Sequence, residues 1–290
     1  MRKGILLAGG TGSRLFPLTL AISKQLLPVY DKPLVYYGLS VLMLAGIKEI
    51  LIITTPSDRP KFEALLGSGE RVGISLSYAE QSYPRGIAEA FLVGQEYLEG
   101  NSVALILGDN IFFGDRLANR LQNLKEAGDA IIFSYQVSAP EQYGVVETDT
   151  TGKPLSIEEK PKIPKSRYAV TGLYFYPSDV TEIAKTLQPS ARGELEITDI
   201  NRTYLKQGRL EVQKLGRGYA WLDAGTEEDL LEASNFIATF GRRQGVRIGC
   251  IEEIAWRMGW ISANDLRVLG NIMKSSAYGK YLISLSHEDT

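Results

Sequence analysis

The stretch ILLAGGTGSR, residues 5–14, is a short apolar run that ends in a glycine-rich turn. Ile5–Ala8 reads as a buried strand. Gly9, Gly10 and Gly12 follow it, interleaved with Thr11 and Ser13. Glycine has no Cβ, so backbone there can press against a ligand and present its N–H groups. A row of such donors is an anion cradle suited to a polyphosphate. Arg14 adds a planar fork of donors, and Lys24 further on adds a point charge. Two commoner phosphate loops are excluded. A dinucleotide fingerprint needs a third glycine where Leu15 stands, and a Walker A loop needs Gly-Lys-Ser/Thr, which the chain lacks. The plainer reading of the cluster is a strand-to-helix turn carrying surface charges.

Outward from this loop, strand-like and helix-like segments alternate. Pro33–Ala45 reads as a helix closed by Gly46, Glu49–Thr54 as a strand, Arg59–Leu66 as a helix and Ile74–Ala79 as a strand. Gly86–Leu98 follows as one amphipathic helix, Val103–Leu107 as a buried strand, Asp115–Ala127 as a helix and Ala130–Val137 as a strand. That order predicts an α/β, Rossmann-like, mixed and mostly parallel sheet flanked by helices. Strand-like Tyr143–Thr148, Leu155–Lys160 and Tyr168–Tyr176 predict an inserted mixed or antiparallel portion of the sheet near residues 140–176. A helix is expected from Thr226, its N-cap, to Thr239. After Gly241 only helical patterns recur, so the division expected is a core of residues 1–240 and a helical extension of residues 241–290 that packs and oligomerises.

The 290 residues suffice for a substantial core, and 44% hydrophobic with 23% charged content is that of a soluble globule. Thirty-two basic and 34 acidic residues leave no basic excess, which argues against nucleic-acid binding. No apolar run approaches a membrane span, and no signal-type leader precedes the first strand; both point to the cytoplasm. The single cysteine, Cys250, excludes an intrachain disulfide, and the single histidine, His287, excludes a histidine triad or a multi-histidine metal site.

Carboxylates supply the remaining chemistry. Asp109, in LGDN, follows the strand Val103–Leu107, and Asp223, in WLDAGT, follows another short apolar run. Ligands of open α/β sheets bind at carboxyl ends of strands. Two aspartates there suit Mg²⁺, which takes one or two carboxylates and completes its shell with waters and substrate phosphates. Each also fits as a turn or capping residue. Glu159 and Lys160, ending SIEEK, could point into a cleft as a sugar-hydroxyl acceptor and a second phosphate contact, or form a solvated charge run before the loop Pro161–Ser166.

LAGGTGSRLFPLT, KQLLPV, LGDN, YGVVE, EEKP, VTGLYFY, GELEITD and WLDAGT, in that order, together resemble the sugar nucleotidyltransferases, and specifically their thymidylyl-transferring branch. The resemblance spans nearly the whole chain. It implies the nucleotide-diphospho-sugar transferase fold and the reaction of dTTP with glucose 1-phosphate to give dTDP-glucose and pyrophosphate. The implied roles place the triphosphate on Gly9–Arg14 and Lys24, with Arg14 on the departing pyrophosphate. Thymine would bind Gln81 and Gly86, with Gln25 nearby. Asp109 and Asp223 would hold Mg²⁺. Tyr143, Gly144, Glu159, Lys160, Val170 and Tyr174 would surround the glucose phosphate, with Trp221 close to the metal side. The resemblance also implies a homotetramer and a regulatory nucleotide-sugar site near Phe112–Asn119, a segment lacking a histidine often found there. The base segment QSYPRG departs from the family's QPSPxG at Ser82, Tyr83 and Arg85, and Ala224 replaces a common threonine. A uridylyl transferase and a catalytically silent homologue are the alternatives.

Overall fold

Alternating side chains on the first strand set up two apolar layers. Ile5 and Leu7 face one buried cluster, and Leu6 and Ala8 face the other. This is the two-residue period of an extended chain buried on both faces. The structure, a computed structural model, describes residues 2–124 and 128–287. Its strands in chain order are β1 (Arg2–Ala8), β2 (Pro28–Val29), β3 (Lys32–Pro33), β4 (Glu49–Thr54), β5 (Ser75–Glu80), β6 (Ser102–Leu107) and β7 (Asn110–Gly114). Then come β8 (Ala130–Gln136), β9 (Gly144–Thr148), β10 (Pro154–Glu159), β11 (Tyr168–Tyr176), β12 (Leu210–Leu215) and β13 (Tyr219–Asp223).

Nine strands form one sheet in which β5, β4, β1 and β6 run parallel side by side. Beyond β6 lies antiparallel β11, then β8, with β12 parallel to β8. The N-terminal half of β11 also meets β9, which forms a hairpin with β10. Strand β11 is therefore central, and only β9–β10 projects as the expected insertion. Helices cover both faces, as the α/β pattern requires. Val35–Leu44, Arg59–Leu66 and the C-terminal helices share the cluster of Leu6, Ile52 and Ile106. Glu89–Val93, Val180–Thr186 and Ile197–Lys206 share that of Ile5, Ile53 and Leu105. The helices after β1 and after β5 thus lie on opposite faces, and their strand ends diverge between β1 and β6. Such a switch point is where open α/β sheets bind ligands.

Most elements lie within two residues of their expected bounds, and the exceptions have local causes. The stretch Gly86–Leu98 is not one helix. Gly86 has φ +100° and stays outside the helix, and the remainder splits into Glu89–Val93 and Gln95–Leu98 at Gly94. There Ile5 and Leu51 press close enough that a Cβ would sit 3.1 and 3.3 Å from them. The helix expected from Asp115 starts only at Leu117, because Arg116 adopts φ +54°; residues 125–127 of that stretch lie outside the described residues. The helix capped by Thr226 continues past Thr239 to Gln244, where left-handed Gly245 ends it, and after the last strand at Asp223 the chain is helical. Its capping box, in which Thr226 and Asp229 exchange hydrogen bonds, contributes about 1 kcal/mol. Three further helices, Ile251–Arg257, Ala263–Ile272 and Ala277–Leu285, pack Ile251, Trp256, Leu266 and Leu282 into the core beside Val35–Leu44. Among the described residues no helix is long and apolar enough to cross a membrane.

Candidate active site

The chain leaving β1 is bent by two left-handed glycines, Gly10 at φ +96° and Gly12 at φ +59°. Gly12 starts a single turn, Ser13–Leu15, and its carbonyl accepts the Thr19 hydroxyl hydrogen at 2.7 Å. Leu15 is fully buried and anchors the turn, while Arg14 points out. A second short turn, Lys24–Leu26, lies beneath. Its Gln25 amide donates to the Gly9 carbonyl at 3.4 Å and accepts from Ser23 at 2.5 Å. Gly9–Leu15, Lys24, Gln25 and Asp109 line a recess of about 240 Å³ that adjoins a larger cleft of about 450 Å³.

Asp109 and Asp223 meet through a ribbon rather than through neighbouring sheet strands. Strand β13 pairs antiparallel with β7, outside the main sheet, in a register that sets Asp223 opposite Asn110. The Ala224 N–H donates to the Asp109 carbonyl at 3.1 Å. Lys24 Nζ contacts Asp109 Oδ2 at 2.5 Å. Burial alone would raise the Asp109 pKa, but the Lys24 ammonium and the hydrogen bonds from Lys24 and Asn110 outweigh it and hold the carboxyl below its ordinary range. Asp223 is shifted the other way, by burial and then by the charges of Asp109 and Asp229. Tyr143 donates its hydroxyl to Asp223 at 3.1 Å. The neighbouring carboxylates disfavour ionisation of Asp223, and a divalent cation between Asp109 and Asp223 would relieve that repulsion.

Asn110 ties this corner together. Its Oδ1 accepts from the Gly172 N–H at 3.0 Å and from the Trp221 indole at 2.6 Å, and its Nδ2 donates to Asp109 at 2.8 Å. Gly172 leaves room for it, since a Cβ there would lie 2.6 Å from Asn110 Oδ1.

On one flank of the cleft stand Gln81 and Gly86. Gln81 caps the end of β5, its N–H bonded to the Thr54 carbonyl at 2.8 Å. A Cβ on Gly86 would strike the Leu195 carbonyl at 2.4 Å. The backbone pairs across this approach, with Leu195 N–H to Arg85 at 2.7 Å and Ala88 N–H to Leu195 at 3.1 Å. On the other flank, Lys160 sits in a left-handed conformation, φ +43°, with its N–H on the Tyr143 carbonyl at 3.0 Å. Regular strand alternation would send Glu159 and Lys160 to opposite faces; after this turn both line the cleft. Glu159 accepts from the Thr198 hydroxyl at 2.6 Å. Tyr143, Gly144, Val170, Tyr174 and Trp221 complete that wall.

Every site residue expected from sequence therefore lines one of the two adjoining cavities. Sequence reasoning gave no role to Arg192, Glu194, Glu196, Thr198, Asn110 or Asp229, which also line the larger cleft. Arg192 grips Glu196 with Nη2 at 2.8 and 2.9 Å and lies 3.5 Å from Glu159. For Glu194, Glu196 and Thr198 the signal was the motif GELEITD, which carries two carboxylates ahead of a helix start.

A family model described as nucleotidyl transferase matches residues 3–239. The chain belongs to this family. The glucose-1-phosphate thymidylyltransferase of Neisseria meningitidis serogroup A is 55% identical to this transferase over 284 residues, covering 98% of this chain and 99% of its own. That of Mycobacterium tuberculosis H37Rv is 53% identical over 283 residues, covering 98% of each chain. A solved Bacillus anthracis structure, named as a candidate glucose-1-phosphate thymidylyltransferase in complex with a sucrose, superposes with TM-score 0.75 at 42% identity and covers 81% of this transferase and 95% of its own chain. A UDP-glucose pyrophosphorylase complexed with UDP-glucose gives TM-score 0.72 at 28% identity, over 84% and 100%. The α/β fold, with its mixed, mostly parallel sheet flanked by helices, is that of these nucleotidyltransferases.

Proposed function

We propose that the protein transfers a thymidylyl group from dTTP to glucose 1-phosphate, releasing pyrophosphate and dTDP-glucose. The observation that carries this reading is 55% identity, over 98% of the chain, to a relative of that name. The loop Gly9–Arg14 with Lys24 would hold the triphosphate, Arg14 on the pyrophosphate that departs. Gln81, Gly86 and Gln25 would take the base. Tyr143, Gly144, Glu159, Lys160, Val170, Tyr174 and Trp221 would enclose the sugar phosphate, and Arg192 adds a cation to that side.

The attacking oxygen belongs to a phosphate already anionic near neutral pH, so the reaction needs no general base, consistent with a chain whose single histidine lies far along the tail. The side chains orient the two substrates for in-line attack on the α-phosphorus, and Arg14, Lys24 and Lys160 neutralise charge as it builds. Asp109 and Asp223 are the residues that would hold Mg²⁺, which supplies charge neutralisation on the phosphates when bound. The same reading treats residues 1–240 as the catalytic core and residues 241–290 as the packing and oligomerising extension of a cytoplasmic homotetramer. It also treats the contact between the Phe112–Asn119 segment and the extension as a regulatory nucleotide-sugar site.

Pyrophosphate release, coupled to a colour reaction, tests the proposal with dTTP, dUTP and UTP, each with glucose 1-phosphate or glucosamine 1-phosphate. Release is expected with dTTP and glucose 1-phosphate in the presence of Mg²⁺. A preference for UTP would favour the uridylyl alternative, which the altered residues Ser82, Tyr83 and Arg85 and the UDP-glucose pyrophosphorylase likeness keep in view. No release from any pair would leave the silent homologue.

A further inference from the structure

Gln81 is 6% exposed and reaches the cleft with one end of its amide. The other end is held. Its Nε2 donates to Glu89 Oε2 at 2.7 Å and to the Gly86 carbonyl at 3.3 Å. An amide nitrogen carries two hydrogens, so both are used within the protein. Oε1 is the end that faces the loop after β1, since a Cβ on Gly9 would lie 2.9 Å from it. Glu89 stands behind Gln81, in the first turn of the helix Glu89–Val93, and is not among the described residues that line the cleft. Its second oxygen lies 4.0 Å from Arg85 Nη1.

A carboxylate accepts hydrogen bonds and does not donate them, so Glu89 permits one orientation of the Gln81 amide and forbids the flipped one. We infer that Glu89 is a positioning residue that fixes Gln81 as a pure acceptor toward the nucleobase, and thereby selects bases carrying an N–H on that edge over bases carrying a bare ring nitrogen. Thymine and uracil have that N–H; cytosine presents a lone pair there. A flipped Gln81 would offer its NH₂ to cytosine equally well. A site built to pair with one hydrogen-bonding pattern rejects the complement strongly, because the wrong base leaves a buried group unpaired. The inference rests on the reading above, in which Gln81 meets the base, and adds what sets its polarity. Arg85, a departure from the family pattern, lies beside this pair, its exposed guanidinium 4.0 Å from the other oxygen of Glu89.

The test measures initial pyrophosphate release by wild type, Glu89→Leu and Glu89→Gln, with glucose 1-phosphate and either dTTP or dCTP. Losing the anchor in E89L is expected to raise the KM for dTTP about tenfold and to cut the dTTP over dCTP preference in kcat/KM by about tenfold. The kcat with dTTP and the KM for glucose 1-phosphate should stay within about threefold, because no group touching the reacting atoms has changed. E89Q keeps an acceptor oxygen but adds an NH₂ that can also pair with a flipped Gln81, so it should restore the KM for dTTP more than the preference, which is expected to fall between wild type and E89L. Should E89L fail to fold, Glu89→Ala carries the same expectation. An E89L enzyme with the wild-type preference overturns the inference, as does one in which kcat and both KM values worsen together with the preference intact. If wild type itself releases no pyrophosphate from dTTP, the functional reading fails instead.

Discussion

Lys24 and Asp109 form an ion pair whose side chains are only 10% and 24% exposed, and that burial makes each dependent on the other. Asp109→Asn keeps the shape and removes the charge, leaving the Lys24 ammonium without a counter-charge. Breaking one side of such a pair commonly costs about 3 kcal/mol, whereas removing both charges is close to neutral. D109N is therefore expected to unfold earlier in urea, and the double variant K24M/D109N to recover much of that loss. Neither should regain activity, because removal of one well-placed electrostatic group costs about 10²–10³ in rate. Arg14→Ala is expected to lose rate by the same order without a stability change, since Arg14 is exposed and its neighbour Leu15 anchors the turn. Near-normal turnover by R14A or D109N at saturating substrates and Mg²⁺ would refute the assigned role. Arg14 and Asp109 were readable in the sequence because each follows the end of an apolar run, and Lys24 through the motif KQLLPV that the resemblance rests on. Asn110 was not, since its work is done through Gly172 and Trp221, residues distant in sequence whose approach only the folded chain defines.

Elements show the same division. The parallel strands β1, β4 and β6 announce themselves as apolar runs, but the antiparallel place of β11 between β6 and β8 follows from pairings that no local pattern encodes. The run Tyr219–Leu222 reads as a strand, but its pairing with β7, which brings Asp223 opposite Asn110, is the costliest omission. The left-handed turn at Lys160 was equally hidden, because a lysine gives no hint of positive φ. The helices Val180–Thr186 and Ile197–Lys206 are tied together at Asp179, which accepts from Tyr204 on the second at 2.8 Å and from Arg209 at 2.7 Å. Burial opposes ionisation of Asp179, but the hydrogen bonds from Arg209 and Tyr204 win and its pKa falls below the usual value. A carboxyl whose folded pKa is depressed stabilises the fold above its unfolded pKa, about 3.9, and that contribution disappears as pH falls through the lower folded value. Asp179→Asn should thus lower Tm at pH 7 by about 2 °C, a modest amount because the pair is partly exposed. The difference between wild type and D179N should shrink below about pH 4. A pH-independent difference would mean that Asp179 acts by packing alone.

At the scale of the molecule, the question is how the C-terminal helices are held. Apolar contact supplies most of the attachment, through Ile251, Trp256 and Leu282, each worth about 1.5–3 kcal/mol when buried. A polar latch lies beside it. Lys32, 5% exposed, donates to the Ile248 carbonyl at 2.9 Å and pairs with Asp31 at 2.5 Å, and Arg247 pairs with the same Asp31. Burial pushes the Lys32 pKa down, against the pull of Asp31. One aspartate therefore balances two cations, Lys32 on β3 and Arg247 ahead of the C-terminal helices. Cys250 reports on the latch. It is 1% exposed, and burial with the Glu252 carboxylate raises its pKa, so the thiol should resist iodoacetamide at pH 8 while the extension is docked. Asp31→Asn leaves Lys32 and Arg247 facing each other without their counter-charge, whereas the β-sheet core keeps all its contacts. Labelling of Cys250 in D31N is accordingly expected at urea concentrations well below those that abolish the far-ultraviolet circular dichroism of the core, with the two midpoints close together in wild type. Coincident midpoints in D31N would show that extension and core open as one cooperative unit and that Asp31 does not govern the junction between them.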